Sequence, residues 1–197
     1  MPRLRLPDLE RHALGSVPMS DMKPDAVREL LVDSFSRVRS LVEDLTHGLS
    51  PELATWRPDE DANSIAWLLW HLTRIQDDHV AGVAGEEQVW PRWRDRFDLP
   101  FSPWSTGYGQ SASEAAQVRA SGELLAGYHA EVHALTTRYL ERIDSGAGAA
   151  ELARVVDDSW KPPVTASIRL VSVIGDTLQH LGQAAYVKGL AQRAGVA

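Results

Sequence analysis

The chain has no cysteine among its 197 residues, which removes disulfides, thiolate metal ligands and cysteine nucleophiles together. Any thiol chemistry must therefore use a thiol brought in by a co-substrate. Excess positive charge is also missing: 27 acidic side chains stand against 20 lysines and arginines, a formal charge of −7. No cluster of Lys and Arg offers a face for phosphates, so nucleic acid is not an expected partner. No apolar run approaches the roughly 18 to 20 residues that span a bilayer. The Met1 to Leu14 segment alternates Arg with Leu and Pro instead of building a signal-peptide core, and the expected location is the cytoplasm. Three familiar signatures are absent as well: the G-x-S-x-G elbow, the P-loop and G-x-G-x-x-G.

What is present is an ordinary globular composition, 44% hydrophobic and 24% charged, in a length that suits one domain. Residues 1–23 carry three prolines and no sustained period, and they read as an arm. From Pro24, apolar residues recur at helical spacing through Val27, Leu30, Leu31, Phe35, Val38, Leu41, Val42 and Leu45, giving a first helix that ends near Gly48. Asn63 or Ser64 is placed to cap a second helix, from about Ser64 to Val83. Ser111-Ala-Ser-Glu114 fits a capping box opening a third, continuous to about Ile143. The fourth runs from about Thr165 to Ala194. Between Gly85 and Gly109 lie Trp90, Trp93, Phe97, Phe101, Trp104 and Tyr108, a long aromatic connection suited to a lid, a pocket wall or a cover for the bundle end. No run alternates well enough to be a strand. The expected fold is all-α, a four-helix bundle over residues 24–194.

The fourth helix shows two apolar stripes at 100° per residue: Val171, Ile174, Leu178, Leu181 and Ala185, with Ile168 at the edge, and Val173, Asp176, His180, Ala184 and Val187. Burial on both sides is expected, which makes a homodimer plausible. Asp176 and His180 sit one turn apart in the second stripe, where an unpaired carboxylate is costly. A metal ion, a buried Arg or a plain Asp to His hydrogen bond would each compensate it. In the second helix His71 shares a face with Ser64, Trp67, Leu68 and Ile75, either as a third ligand or as a core histidine satisfied by a backbone carbonyl or by Asp176. Asp78 lies two turns on, too far to share a metal with His71 but placed to line a pocket. His129 and His133 form a competing i, i+4 pair. Against the stripe of Leu125, Tyr128, Val132, Leu135 and Tyr139, His129 falls at the edge and His133 mostly towards solvent, so the pair is expected to be exposed.

The segments Asn63-Ser-Ile-Ala-Trp-Leu-Leu-Trp-His71-Leu and Asp176-Thr-Leu-Gln-His180-Leu-Gly-Gln183 resemble the DinB-like superfamily of four-helix metalloproteins. The resemblance spans about Val27 to Leu190 and looks closest to the branch proposed to act as mycothiol-dependent S-transferases. It implies one divalent metal on His71, Asp176 and His180. Many members have His, and some Glu, at the position of Asp176, and many have Arg after the last ligand where this chain has Leu181. The implied chemistry is transfer of a low-molecular-weight thiol such as mycothiol to a small electrophile, with Trp67, Asp78, Trp160 and Gln183 as candidate pocket residues. Two imidazoles and a carboxylate suit zinc first, with Ni, Fe or Mn as alternatives. A hydrolase using the same triad, and a non-catalytic bundle in which the three residues form a hydrogen-bonded cluster, are the competing expectations.

Overall fold

The computed structural model describes residues 24–143 and 147–196, so the expected arm lies outside the described residues. Helix α1 spans Pro24–Thr46, α2 Pro51–Thr55 and α3 Ile65–Ala84. After a 3-10 turn at Trp90–Arg92 come α4 (Arg94–Phe97), α5 (Ala112–Ala115), α6 (Gly122–Glu141) and α7 (Gly148–Ala153). Two short antiparallel strands, β1 (Val155–Asp157) and β2 (Val164–Thr165), lead into α8, Ala166–Arg193. The four long helices form the body: α3 packs on α8 and α6, and α1 packs on α6 and α8. Among the described residues no helix is long and apolar enough to cross a membrane.

The helix ends follow from side-chain chemistry. Ser64 accepts the Trp67 N–H and starts α3, and Gly85 stops it in a left-handed conformation at φ 67°. Thr165 caps α8 by accepting from the Ile168 N–H. The expected third helix is broken in two. The Ser111–Glu114 capping box is present, but it opens only the four-residue α5. Ser121 then caps α6, and Gly122 lies so close to α1 that a Cβ there would stand 2.5 Å from the Thr46 carbonyl oxygen. That close approach fixes where α6 begins, and a continuous helix would forgo it.

Three further expectations change. The strand pair β1–β2 was not legible, because five residues are too few to display a period. The expected two-sided burial of α8 is not found among the described residues. Val173, Ala184 and Val187 are buried, but Ile168, Val171 and Leu178 are exposed, with Val171 at 64%. Among the described residues α8 packs chiefly on α3 and α1, with smaller contacts to α7, β1 and β2. Nor is the His129/His133 pair exposed: His129 is 1% accessible and His133 9%. The apolar stripe on α6 is wider than its five largest residues, since α1 and α3 cover it from two directions. Burial pushes His129 down to about 3, with the charges of His133 and Arg39 adding to the shift.

Candidate metal centre

His71 lies in the middle of α3 and Asp176 and His180 in the middle of α8, where the two helices pack along their length. One donor atom from each of the three lies within 4.8 Å of the others. The three residues that the resemblance singled out therefore meet at one point, and the i, i+4 pair on α8 supplies two of them.

Both imidazoles are fixed in the same tautomer by their surroundings. His71 donates from Nδ1 to the Thr106 carbonyl at 2.6 Å, and His180 donates from Nδ1 to Gln183 Oε1 at 3.0 Å. A proton on Nδ1 leaves Nε2 with a free lone pair. His180 Nε2 lies 3.5 Å from Asp176 Oδ1. Asp176 Oδ2 is buried with no hydrogen-bond partner. A carboxylate oxygen so placed lacks what buried polar atoms ordinarily have, and a cation among these three donors supplies it. The donor set of two neutral imidazoles and one carboxylate leaves coordination positions open, the arrangement of catalytic more than structural sites.

The titration shifts agree with this geometry. Burial raises the Asp176 carboxyl, but the hydrogen bond from His180 and the nearby charges of His180, His71 and His79 outweigh it, for a net fall. The Asp176 carboxylate favours a second proton on His180, at Nε2, and raises it against the effect of burial; that proton is the one a metal ion would displace. Burial lowers His71, opposed by its bond to Thr106. The chain thus keeps Asp176 ionised and His71 neutral, the forms that bind a metal.

The walls come from α3 and the aromatic connection. The Trp67 ring stacks on His71 at 4.6 Å between centroids and meets His180 edge-on at 6.2 Å, and its Nε1 donates to Gln110 at 2.8 Å. Gly107 is required where it stands: its φ is +95°, and a Cβ would sit 2.7 Å from His71 Nδ1. One turn further along α3, Arg74 donates to the Ser105 carbonyl. Asp77 accepts the backbone N–H groups of Val89 and Trp90, each at 2.8 Å, and the Tyr128 hydroxyl at 2.7 Å. Trp90 in turn reaches the Pro103 carbonyl. Arg74 and Asp77 are both fully buried, and Asp77 is raised by burial against its hydrogen bonds and the Arg74 charge.

The remaining expected residues are dispersed. Asp78 is held by Gln88 at 2.7 Å and by His79 at 3.3 Å. Trp160 stands 65% exposed in the turn between β1 and β2. Of the aromatic connection, Trp90, Trp93 and Phe97 are buried, whereas Trp104 and Tyr108 are exposed. Sequence reasoning missed Arg74 and Asp77. Their signal was available, two opposite charges three residues apart in a largely apolar helix.

A helical bundle that gathers two histidines and a carboxylate between facing helices belongs to a wide class of bundles with core metal sites. Comparison with known proteins narrows it. The family model for mycothiol S-transferases matches residues 30–192, and the chain belongs to that family. A conserved protein from Enterococcus faecalis, known from its crystal structure, shares 31% identity and a TM-score of 0.74, covering 82% of this chain and 95% of its own. No curated protein matches the chain.

Proposed function

We propose that the protein is a divalent-metal-dependent thiol S-transferase, with His71, Asp176 and His180 as the ligands and zinc as the preferred ion. The observation that carries the reading is the buried, unpartnered Oδ2 of Asp176 beside two imidazoles whose Nδ1 atoms are already committed. Membership of the mycothiol S-transferase family supports a thiol as one substrate. When bound, the ion would act as a Lewis acid that favours the thiolate of a low-molecular-weight thiol near neutral pH.

The chain's own residues do the rest. Thr106 and Gln183 hold the imidazole planes, and Trp67 covers His71 and keeps water from that side. In the transfer the thiol gives up its proton, its sulfur bonds to the electrophilic carbon, and either a leaving group departs or the added electron pair is protonated. With no cysteine in the chain, the thiol is a free substrate and no enzyme-bound thioether forms.

The test is metal analysis of untagged protein beside His180→Ala and Asp176→Asn, followed by conjugation assays with mycothiol and a small electrophile. About one metal per chain, lost in both variants, with turnover requiring metal and thiol together, is the expected result. Metal-dependent turnover that proceeds without thiol would instead establish a hydrolase.

A further inference from the structure

Transfer of a thiol leaves one proton without a destination, and a pair of side chains on α3 is built to take it. His79 Nδ1 lies 3.3 Å from Asp78 Oδ2, and Asp78 Oδ1 accepts from Gln88 Nε2 at 2.7 Å. The hydrogen bond from His79 is the largest influence on the Asp78 carboxyl and holds it below its ordinary range, against the effect of burial. An ionised carboxylate, itself fixed by an amide, thus takes the Nδ1–H of His79 and leaves Nε2 with its lone pair. That is the tautomer in which an imidazole accepts a proton. The ring is partly exposed and lines a cavity of ≈ 360 Å³ with Gly82, Val83, Val156 and Arg169.

This cavity lies on the Asp176 side of the metal centre. Helices α3 and α8 run antiparallel: Leu68 meets Tyr186 and Leu190 at one end of the pair, and His79 and Val83 meet Arg169 at the other. Asp176 precedes His180 by one turn of α8, so it is the ligand nearer to His79, and the charge of His79 helps to lower its carboxyl. Eight residues separate His79 from His71, about 12 Å along the helix axis, too far for His79 to share the ion. The other charges at the cavity are paired, Arg169 with Asp157 of β1 at 3.0 Å and Glu86 with Arg142 and Arg138 at 3.3 and 3.7 Å. Asp78 on α3 and Asp176 on α8 are the carboxylates that act on His79.

We propose that His79 is the proton acceptor for the thiol substrate, reached through water in this cavity, with Asp78 as the positioning residue that holds its tautomer. The assignment rests on the thiol-transfer reading. As the thiol binds, its S–H bond breaks, the electron pair stays on sulfur and the proton passes to His79 Nε2. When the sulfur bonds to the electrophilic carbon, the displaced electron pair, on a leaving group or on the adduct, takes that proton back. The neutral imidazole is thereby restored, and protons balance over the cycle.

The experiment counts protons released to the buffer when mycothiol binds the zinc-loaded full chain with no electrophile present. Calorimetry near neutral pH, in buffers of differing ionisation enthalpy, reads the number. The parent should release almost none and His79→Ala about one proton per thiol, with zinc content the same in both. In turnover with a small electrophile, kcat should fall about 100-fold in His79→Ala and recover in part when imidazole is added. Equal proton release in the two proteins, or an unchanged kcat in the variant, overturns the proposal and leaves thiol transfer standing. Failure of the zinc-loaded parent to bind mycothiol removes thiol transfer, and the proposal with it.

Discussion

Replacing Asp77 by asparagine should destabilise the protein far more than a conservative change ordinarily does. Asp77 uses Oδ1 for the Val89 N–H, and Oδ2 for the Trp90 N–H and the Tyr128 hydroxyl, with the Arg74 guanidinium 3.5 Å away. Asparagine keeps one acceptor oxygen, so either Val89 or Trp90 loses its partner, at about 1–3 kcal/mol for a buried orphan. Arg74 loses the buried counter-charge, a change that costs about 3–5 kcal/mol when one member of such a pair is removed. Arg74 retains Gln88, Tyr128 and the Ser105 carbonyl, which favours the lower ends and a total of about 4 kcal/mol. For a domain of this size that is a fall of about 8–16 °C in Tm. Urea unfolding and calorimetry of the metal-free chain measure it, with exposed Asp95→Asn as a control that changes little. A loss below about 1 kcal/mol, the ordinary size of a point-mutation effect, would show that the connection is not held through Asp77.

The remaining expectations concern pH, the glycine beside the site and the metal. His129 has a folded pKa of about 3, below its unfolded value, so it contributes stability that is complete above about pH 6.5 and is lost as the pH falls towards 3. At pH 4.5 the loss is about 3 kcal/mol, and urea midpoints for His129→Leu should fall less between pH 7 and 4.5 than those of the parent; parallel curves would refute it. Gly107→Ala drives a methyl group into His71 Nδ1 and should lower metal affinity about 10- to 100-fold with the bundle intact, as read by competition with a chromophoric chelator. Asp176→Asn puts an amide in place of the carboxylate with its unpartnered buried oxygen and should abolish the rise in Tm that the parent shows on adding zinc. A parent protein without that rise would count against the centre.

Most of the long elements were legible because they depend on period, whereas period left several readings open for His71, Asp176 and His180 and the family resemblance singled them out as a set. The α3 and α8 boundaries fall within a residue or two of those expected, since Ser64, Gly85 and Thr165 are local signals whose chemistry acts within one turn. His71, Asp176 and His180 converge because a helix converts sequence spacing into direction. What could not be read depended on partners distant in the chain. The break before α6 needs the Thr46 carbonyl; the burial of His129 and His133 needs α1 across α6; and the burial of α8 depends on α1 and α3, which pack against it from distant parts of the sequence. The tautomers of the two imidazoles depend on Thr106 and Gln183, of which only Gln183 stood out in the sequence.

The aromatic connection is pinned at both ends: at Val89 and Trp90 by Asp77, and at Ser105, Thr106 and Gln110 by Arg74, His71 and Trp67. A segment fastened at so many points cannot swing aside each cycle without breaking the bonds that orient the first imidazole. Reactants therefore reach the centre by an approach that leaves this segment in place. Discrimination among small reactants then falls to the breadth of that approach, and turnover should vary with solution viscosity only as far as plain diffusion dictates.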